Sequence, residues 1–433
     1  MDPNQLFALA LPLPHPWTVT SSALEGKPKK LTLTVDLVEG TRQLPCCGCG
    51  GQSRIHDRRE RRWRHLNFWQ YETELVARVP RTNCAKCGVH QVEVPWARPG
   101  SGFTLLFEAW ALLLAREMAV SEAAETLGIV DTRLWRLLTH HVDKAHATTD
   151  WSGLERTGMD ESERSGDSLP QAARRASAAR QTSRRKGHCY VTCFVDLDCG
   201  NLLYMTEGRD AATVASFAKE LIEHQSAPEA IKEVAMDMSP AFQRGVEDHL
   251  PEALKIFDRY HVMALAGKAT DEVRKEVARE EGGLEKGAMW SLRGNKDRLT
   301  EAQREQRERI CREYAKLGRA LSWRECLADT WRYATREDAE VHLEMVCSWG
   351  RRCRLEPIKK LCATLKRHWD GILDYYRNST TSGVMEGLNS RLQLARKRAR
   401  GYRNWKNFRT IAYWIAGGLN PATGLPNPLP QRF

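Results

Sequence analysis

The chain has 433 residues, 42% apolar and 28% charged, a globular composition long enough for roughly two to four domains. Its formal charge is +11 and its pI about 9.1, which favours polyanionic partners, nucleic acid first. The longest apolar stretches, around Trp110–Ala115 and Thr410–Leu419, are too short to span a bilayer, and Met1–Pro16 carries Asp2 and several prolines where a secretory leader needs a basic segment and an apolar run. A cytoplasmic protein with no membrane partner is expected.

Residues 1–40 are weakly patterned except at Leu31–Leu37, where Leu31, Leu33, Val35 and Leu37 alternate with Thr32, Thr34 and Asp36 as in a half-buried strand. The cysteines number thirteen, an odd count at irregular spacing that does not read as a disulfide framework. Four of them form two Cys-x-x-Cys pairs, Cys46/Cys49 and Cys84/Cys87, each followed by a glycine that permits a tight turn. Four thiolates close a tetrahedral structural site for Zn²⁺. Cys47 can substitute for a neighbour, and unligated thiols or a redox pair are the other readings. Between the pairs stand Arg54, Arg58, Arg59, Arg61, Arg62 and Arg64, interleaved with Trp63, Trp69 and Tyr71. Guanidinium groups suit phosphate recognition. A solvated basic loop has the same composition. Phe68–Val79 alternates well enough to form a strand inside this segment.

Residues 103–145 read as helices. Ser121–Leu127 fits a short helix with Ser121 as its N-cap, Gly128 supplies a turn, and Asp131 caps a second helix over Thr132–Val142. Leu134, Leu137, Leu138 and Val142 form its buried stripe. Thr132, Arg133, Arg136 and His140 fall on the other side, as in a recognition helix laid in a major groove. An ordinary helical hairpin satisfies the same spacing.

From residue 155 to 262 strands and helices alternate. Arg156–Asp160 is a short strand ending in acid, His188–Asp196 a clear strand, Leu202–Thr206 a third. Ala211–His224 is an amphipathic helix, and Ile231–Met236 is a strand that delivers Asp237 at its carboxyl end, before a helix begun by Ser239-Pro240. Ala253–Phe257 is a further strand leading to Asp258 and His261. The order resembles the ribonuclease-H-like fold, in which Asp160 and Asp237 converge beyond the strand ends. Glu386 comes from a later helix, where Glu386, Asn389 and Gln393 share one face and Leu388, Leu392 and Ala395 the core face. Three carboxylates are the donors that Mg²⁺ or Mn²⁺ prefers, and they offset the repulsion between two such ions.

Residues 263–370 are charged and helical in period. Trp290 and Trp323 are candidate stacking residues there, with core packing the competing assignment. After Glu386 come Arg391, Arg396, Lys397, Arg398, Arg400, Arg403, Lys406 and Arg409, with Tyr402, Trp405 and Phe408 among them and no acid over 391–409. This is the densest polyanion-binding signal in the chain.

Together these motifs resemble the ISL-three (ISL3) family of bacterial insertion-sequence transposases over about Leu44–Leu419. The likeness is carried by both cysteine pairs, His56-Asp57-Arg58-Arg59 to Trp63-Arg64-His65-Leu66, Asp160-Glu161, Lys186-Gly-His-x-Tyr-Val-Thr192, and Asp237-Met238. It continues through Phe257-Asp-Arg-Tyr-His-Val262, Glu386-Gly-x-Asn389 and Gly401-Tyr-Arg-Asn-Trp-x-x-Phe-Arg409. The resemblance implies an α/β multidomain enzyme: a ribonuclease-H-like catalytic domain with an all-helical insertion, preceded by a zinc-binding module and a helix-turn-helix. The implied division is an amino-terminal segment (1–40), zinc module (41–98), helix-turn-helix (99–150), catalytic domain (151–262 and 371–420), helical insertion (263–370) and tail (421–433). It implies catalysis by Asp160, Asp237 and Glu386 with Mg²⁺ or Mn²⁺, an auxiliary Asp258/His261 pair, and DNA as partner, both as terminal inverted repeats and as target. The assembly on DNA is expected to be a homodimer or larger, associated with the bacterial nucleoid. A non-catalytic DNA-binding regulator and a ribonuclease-H-like junction nuclease are the alternatives. One departure from the family pattern is Glu163–Ser183, an Ala-, Arg- and Ser-rich insertion.

Overall fold

The structure is a computed structural model describing residues 3–11, 13–163, 190–285, 287–293, 299–377, 381–402 and 404–427. It divides into two compact units, Met1–Ala145 with Asn420–Phe433, and His146–Leu419. The insertion after Glu163 and the proposed DNA contact Arg403 lie outside the described residues.

The first unit opens with helix α1 (Pro3–Ala10) and a six-stranded sheet: β1 (Trp17–Gly26), β2 (Lys29–Leu37), β3 (Gln43–Pro45), β4 (Gln52–Phe68), β5 (Tyr71–Cys84) and β6 (Gly88–Gln91). The order is β1-β2-β5-β4-β3, with β6 paired to β5, and only the β2–β5 contact is parallel. The Leu31–Leu37 alternation packs with Leu75, Ala77 and Val79 of β5 in one core. Trp96 meets Trp17 and Trp63 edge-on, with ring centroids 5.0 and 5.5 Å away.

Two expectations change here. The arginine-rich run is no loop but most of β4, a seventeen-residue strand, because register against the apolar β5 supplies the ladder that its own side chains do not advertise. The strand expected over Phe68–Val79 breaks at its start: Trp69, with φ +52°, turns the β4–β5 hairpin, so β5 begins at Tyr71.

The sheet is followed by α2 (Leu105–Glu117), α3 (Val120–Leu127) and α4 (Asp131–Ala147). Thr104 caps α2 by accepting from the Phe107 N–H. Ser121 does not cap α3. The helix starts one residue earlier, with Ala119 in the N-cap position and no side-chain cap. Gly128, at φ +65°, makes the left-handed turn between α3 and α4, a conformation glycine adopts without steric cost. Leu134, Leu137, Leu138 and Val142 are buried as the periodicity requires. A feature with no sequence signal sits beneath them. Glu108 is fully buried, receives both carboxylate contacts from Arg98 at 3.0 Å, the Ser101 hydroxyl at 2.6 Å, and lies 2.7 Å from His141 Nε2. Burial pushes its pKa up, but the His141 and Ser101 hydrogen bonds and the Arg98 charge outweigh it and hold Glu108 below the usual range.

The second unit has a five-stranded sheet in the order β11-β10-β7-β8-β9, from β7 (Arg156–Glu163), β8 (Tyr190–Asp196), β9 (Leu202–Glu207), β10 (Glu233–Met236) and β11 (Leu254–Phe257). β7, β8 and β9 form an antiparallel meander, and β10 and β11 run parallel to β7. Helix α5 (Ala211–Glu223) connects β9 to β10, and α6 (Pro240–His249), started by Ser239-Pro240, connects β10 to β11. Then come only helices among the described residues: α7 (Arg259–Glu280), α8 (Ala288–Arg293), α9 (Glu301–Glu313), α10 (Ala315–Asp329), α11 (Arg336–Arg352), α12 (Glu356–Arg367), α13 (Trp369–Leu373), α14 (Thr381–Arg398) and α15 (Trp405–Ala416). One core runs from the sheet residues Met159, Phe194 and Met236 into the helices through Val262, Leu321 and Trp323. Trp323 is fully buried and donates its indole N–H to Val346 O at 3.0 Å, so it is a core residue, whereas Trp290 is about two-thirds exposed. Met205 N–H donates to Tyr413 Oη at 3.1 Å, tying α15 to β9.

Candidate metal centres and nucleic-acid interface

The two cysteine pairs occupy tight turns, one before β4 and one between β5 and β6. Their four sulfurs lie within 4.8 Å of one another, with Cys49 Sγ and Cys84 Sγ 3.5 Å apart. The Gly48 N–H approaches Cys46 Sγ at 3.4 Å, and backbone N–H groups of Cys87 and Lys86 lower the pKa of the Cys84 thiol. Cys47 is exposed and outside the cluster. Four soft donors at this separation, with N–H groups aimed at sulfur, fit Zn²⁺.

The carboxylates gather differently. A cleft of about 670 Å³ is lined by Asp160 from β7, Asp258, Tyr260 and His261 at the start of α7, and Glu386, Asn389 and Gln393 from α14. The face expected for α14 therefore does look into one cavity. Asn389 Nδ2 donates to Asp160 Oδ2 at 2.6 Å, and His261 Nε2 stands 3.7 Å from Asp160 Oδ1. Glu386 is exposed. Asp258 caps α7 by accepting from the Tyr260 N–H at 2.9 Å. Burial raises its pKa, and the nearby Asp160 charge adds to that.

Asp237 follows the last residue of β10. Its Oδ1 accepts from the Ser239 N–H at 2.9 Å, and it is not among the residues lining the cleft, although Met236 is. Among the described residues, Asp160, Asp237 and Glu386 do not bring their carboxylates within 4.8 Å of one another. The donor set fits Mg²⁺ by chemistry, being all hard anionic oxygen, while its geometry is open.

One glycine lies where the elements that carry two of the acids pack together. A Cβ on Gly158 would lie 2.8 Å from Met385 Sδ and 2.9 Å from Leu197 Cδ2, so these two side chains must shift to admit one. Gly158 is two residues before Asp160, and Met385 is one before Glu386. The sequence singled out neither. The Asp160–Asn389 bond was also missed, although its signal, the i,i+3 step from Glu386 to Asn389, was in view.

The candidate DNA contacts separate into two sets. Arg59, Arg61, Arg136, Lys397, Arg398 and Arg400 are exposed. Arg62 and Arg133 are exposed as well but, like the remaining described ones, make contacts within the fold. Arg58 pairs with Asp36 at 2.8 Å, Arg62 pairs with Glu60 and Glu74 at 2.8 and 3.2 Å, and Arg133 stacks over Phe103 at 4.4 Å. Arg396 lies over the Phe408 ring at 4.4 Å and burial lowers its pKa; Arg409 buries its Nε. Helical periodicity on α14 and α15 turns these last two toward the core side, where a run of basic letters had grouped them with their exposed neighbours. No helix of the described residues is long and apolar enough to cross a membrane.

A zinc-type cysteine cluster, a helix-turn-helix and an acid-lined cleft in an α/β unit define a multidomain nucleic-acid-processing protein. Comparison with known proteins gives the family. Residues 43–87 match the zinc-finger of the transposases of IS204, IS1001, IS1096 and IS1165, residues 92–142 the helix-turn-helix domain of transposase family ISL3, and residues 181–412 the DDE transposase domain of that family. The chain belongs to the ISL3 family of transposases. It is similar to the transposase for insertion sequence element IS1557 of Mycobacterium tuberculosis, 27% identical over 412 residues that cover 87% of this chain and 86% of the relative. It is also similar to the transposase for IS1001 of Bordetella parapertussis, at 26% over 397 residues, 87% of this chain and 90% of the relative. The match to the DDE domain includes Asp237 and Glu386 and begins after Asp160.

Proposed function

We propose that the protein is the transposase of an insertion sequence. In this reading it binds the terminal inverted repeats, hydrolyses the phosphodiester at each element end and joins the freed 3′-hydroxyls to target DNA. Three family matches in a single chain support the reading, together with the cleft that Asp160, Glu386 and Asn389 share. We assign a ribonuclease-H-like fold to the catalytic unit on its strand order, an antiparallel meander followed by two strands parallel to the first. The residue divisions set out above are part of the same proposal.

Asp160, Asp237 and Glu386 are the proposed catalytic acids. Mg²⁺ or Mn²⁺ held by them would supply the charge that activates the attacking oxygen and stabilises the leaving one. Asn389 orients the Asp160 carboxylate by donating to one oxygen, which leaves the other facing His261. Asp258 fixes the first turn of α7 and so the place of His261. Arg59, Arg61, Arg62, Arg133, Arg136, Lys397, Arg398 and Arg400, being exposed, are the residues we assign to phosphate contacts, and two bound ends call for a homodimer or larger assembly on nucleoid DNA.

A second reading, a DNA-binding regulator without catalysis, draws on the open geometry of the three acids. Incubation of end-bearing duplex DNA with the protein and Mg²⁺ separates the two. Strand cleavage that disappears in Asp237→Asn supports the transposase. Binding with no metal-dependent cleavage supports the regulator, and cleavage without strand joining points to a junction nuclease.

A further inference from the structure

A second convergence of ligand atoms lies in the His146–Leu419 unit. His146, Glu220 and His224 bring one donor atom each within 4.8 Å of the others. Glu220 and His224 are one turn apart at the end of α5, and His146 is the penultimate residue of α4. Glu220 Oε1 lies 3.5 Å from His224 Nε2 and 4.0 Å from His146 Nδ1.

The opposite ring nitrogens fix the tautomers. His146 Nε2 is 2.8 Å from Leu203 O, and His224 Nδ1 is 2.7 Å from Thr149 O. A carbonyl oxygen only accepts, so both of those nitrogens carry protons. A neutral imidazole in either position therefore turns its lone pair toward Glu220. Two imidazole nitrogens and a carboxylate oxygen directed at one point form a donor set that a cation can occupy. A backbone carbonyl holding the far N–H is also the usual support of a metal-ligating histidine.

The site is enclosed by aromatic rings. His224 is 4% exposed, its ring stacked on Trp151 at 3.8 Å, and Tyr413 covers His146 at 4.3 Å.

We propose that His146, Glu220 and His224 bind a Zn²⁺ ion, with water completing the tetrahedron, at a site separate from the cysteine cluster and from the acid cleft. Two imidazoles and one carboxylate are borderline donors of the kind zinc takes, whereas Mg²⁺ asks for oxygen. Ligands about 2.1 Å from a tetrahedral ion stand roughly 3.4 Å apart, close to the His224–Glu220 separation and a small ring rotation from the His146 one. The ion would fasten the end of α4 to α5 around Trp151.

The test is the metal content of the full-length protein after Zn²⁺ loading and removal of free metal. The expected result is a second equivalent of zinc beyond the cysteine site, lost in Glu220→Gln and in His224→Gln. With Co²⁺ in place of Zn²⁺, the sulfur-to-cobalt charge-transfer band of the cysteine site should stay unchanged in both variants. A single equivalent in the wild type overturns the proposal, as does a second equivalent that survives both substitutions. Zinc-edge X-ray absorption of the wild type reads the same question without relying on the variants to fold. Imidazole scattering beside sulfur supports the site, and a shell of sulfur alone removes it.

Discussion

The cysteine cluster and the acid cleft are both assembled to hold cations, and they differ in how much of the fold each needs. The four thiols come from two short turns of one sheet and already lie within 4.8 Å of one another. The acids come from a strand, the end of its neighbour and a helix far along the chain, and the cleft described above is lined by Asp160 and Glu386 without Asp237. In the cluster, N–H groups of the same turns point at sulfur. In the cleft, each acid is held by a different element: Asp160 by Asn389 of α14, Asp237 by the Ser239 N–H. A site closed by local turns is complete once its module folds, whereas a site drawn from distant elements is only as complete as their packing.

The largest effect that would sharpen this contrast is loss of a thiolate. Cys84→Ser should release the cysteine-bound zinc and unfold residues 43–91, since structural zinc supplies on the order of 10–16 kcal/mol in small modules. Zinc content and limited proteolysis read this, and a module still folded without metal would break the comparison. Next, Asp160→Asn, Asp237→Asn and Glu386→Gln should each reduce Mg²⁺-dependent end cleavage by at least about a hundredfold while DNA binding persists, each exceeding the loss from a supporting residue. Asn389→Ala should cost roughly 10–100-fold in cleavage, or in the metal concentration needed for it. A wild-type rate there would mean that Asp160 needs no holder.

Two smaller effects concern stability. Gly158→Ala should destabilise the His146–Leu419 unit by about 1–3 kcal/mol, because Met385 and Leu197 must move to admit the methyl. Chemical denaturation followed by Trp fluorescence measures it. The pKa of Glu108 is held down in the folded state, so its contribution is present above the unfolded value of about 4.3 and is lost as pH falls through the lower folded value. Glu108→Gln should cost about 1–3 kcal/mol near neutral pH and flatten the acid limb of the stability profile. An unchanged acid limb would show that the buried network does not govern it.

Much of this was legible in the sequence for the reason the comparison gives. Spacing reports what lies close along the chain. Cys46/Cys49 and Cys84/Cys87, the Gly128 turn, the Leu134–Val142 stripe and the strand before Asp237 are all local patterns. What escaped depends on partners elsewhere. β1 shows apolar alternation only at Trp17 and Val19, and it becomes a strand because β2 offers it a ladder. The arginines of β4 read as a loop because β5 supplies the apolar character. Arg396 and Arg409 look like their basic neighbours until the packing of α14 and α15 turns them inward. Glu108 is a lone acid in an apolar helix until Arg98, Ser101 and His141 meet it.

The contact between Gly158 and Met385 bears on how many parts must move to close the acid site. β7 and α14 meet where Met385 packs on Gly158, and again at the Asp160–Asn389 hydrogen bond. Asp160 and Glu386, each within two residues of that point, travel as one piece. If the three acids come to share metal ions on DNA, closure has a single coordinate, the displacement of the short turn that carries Asp237. Cleavage would then depend on where that turn sits.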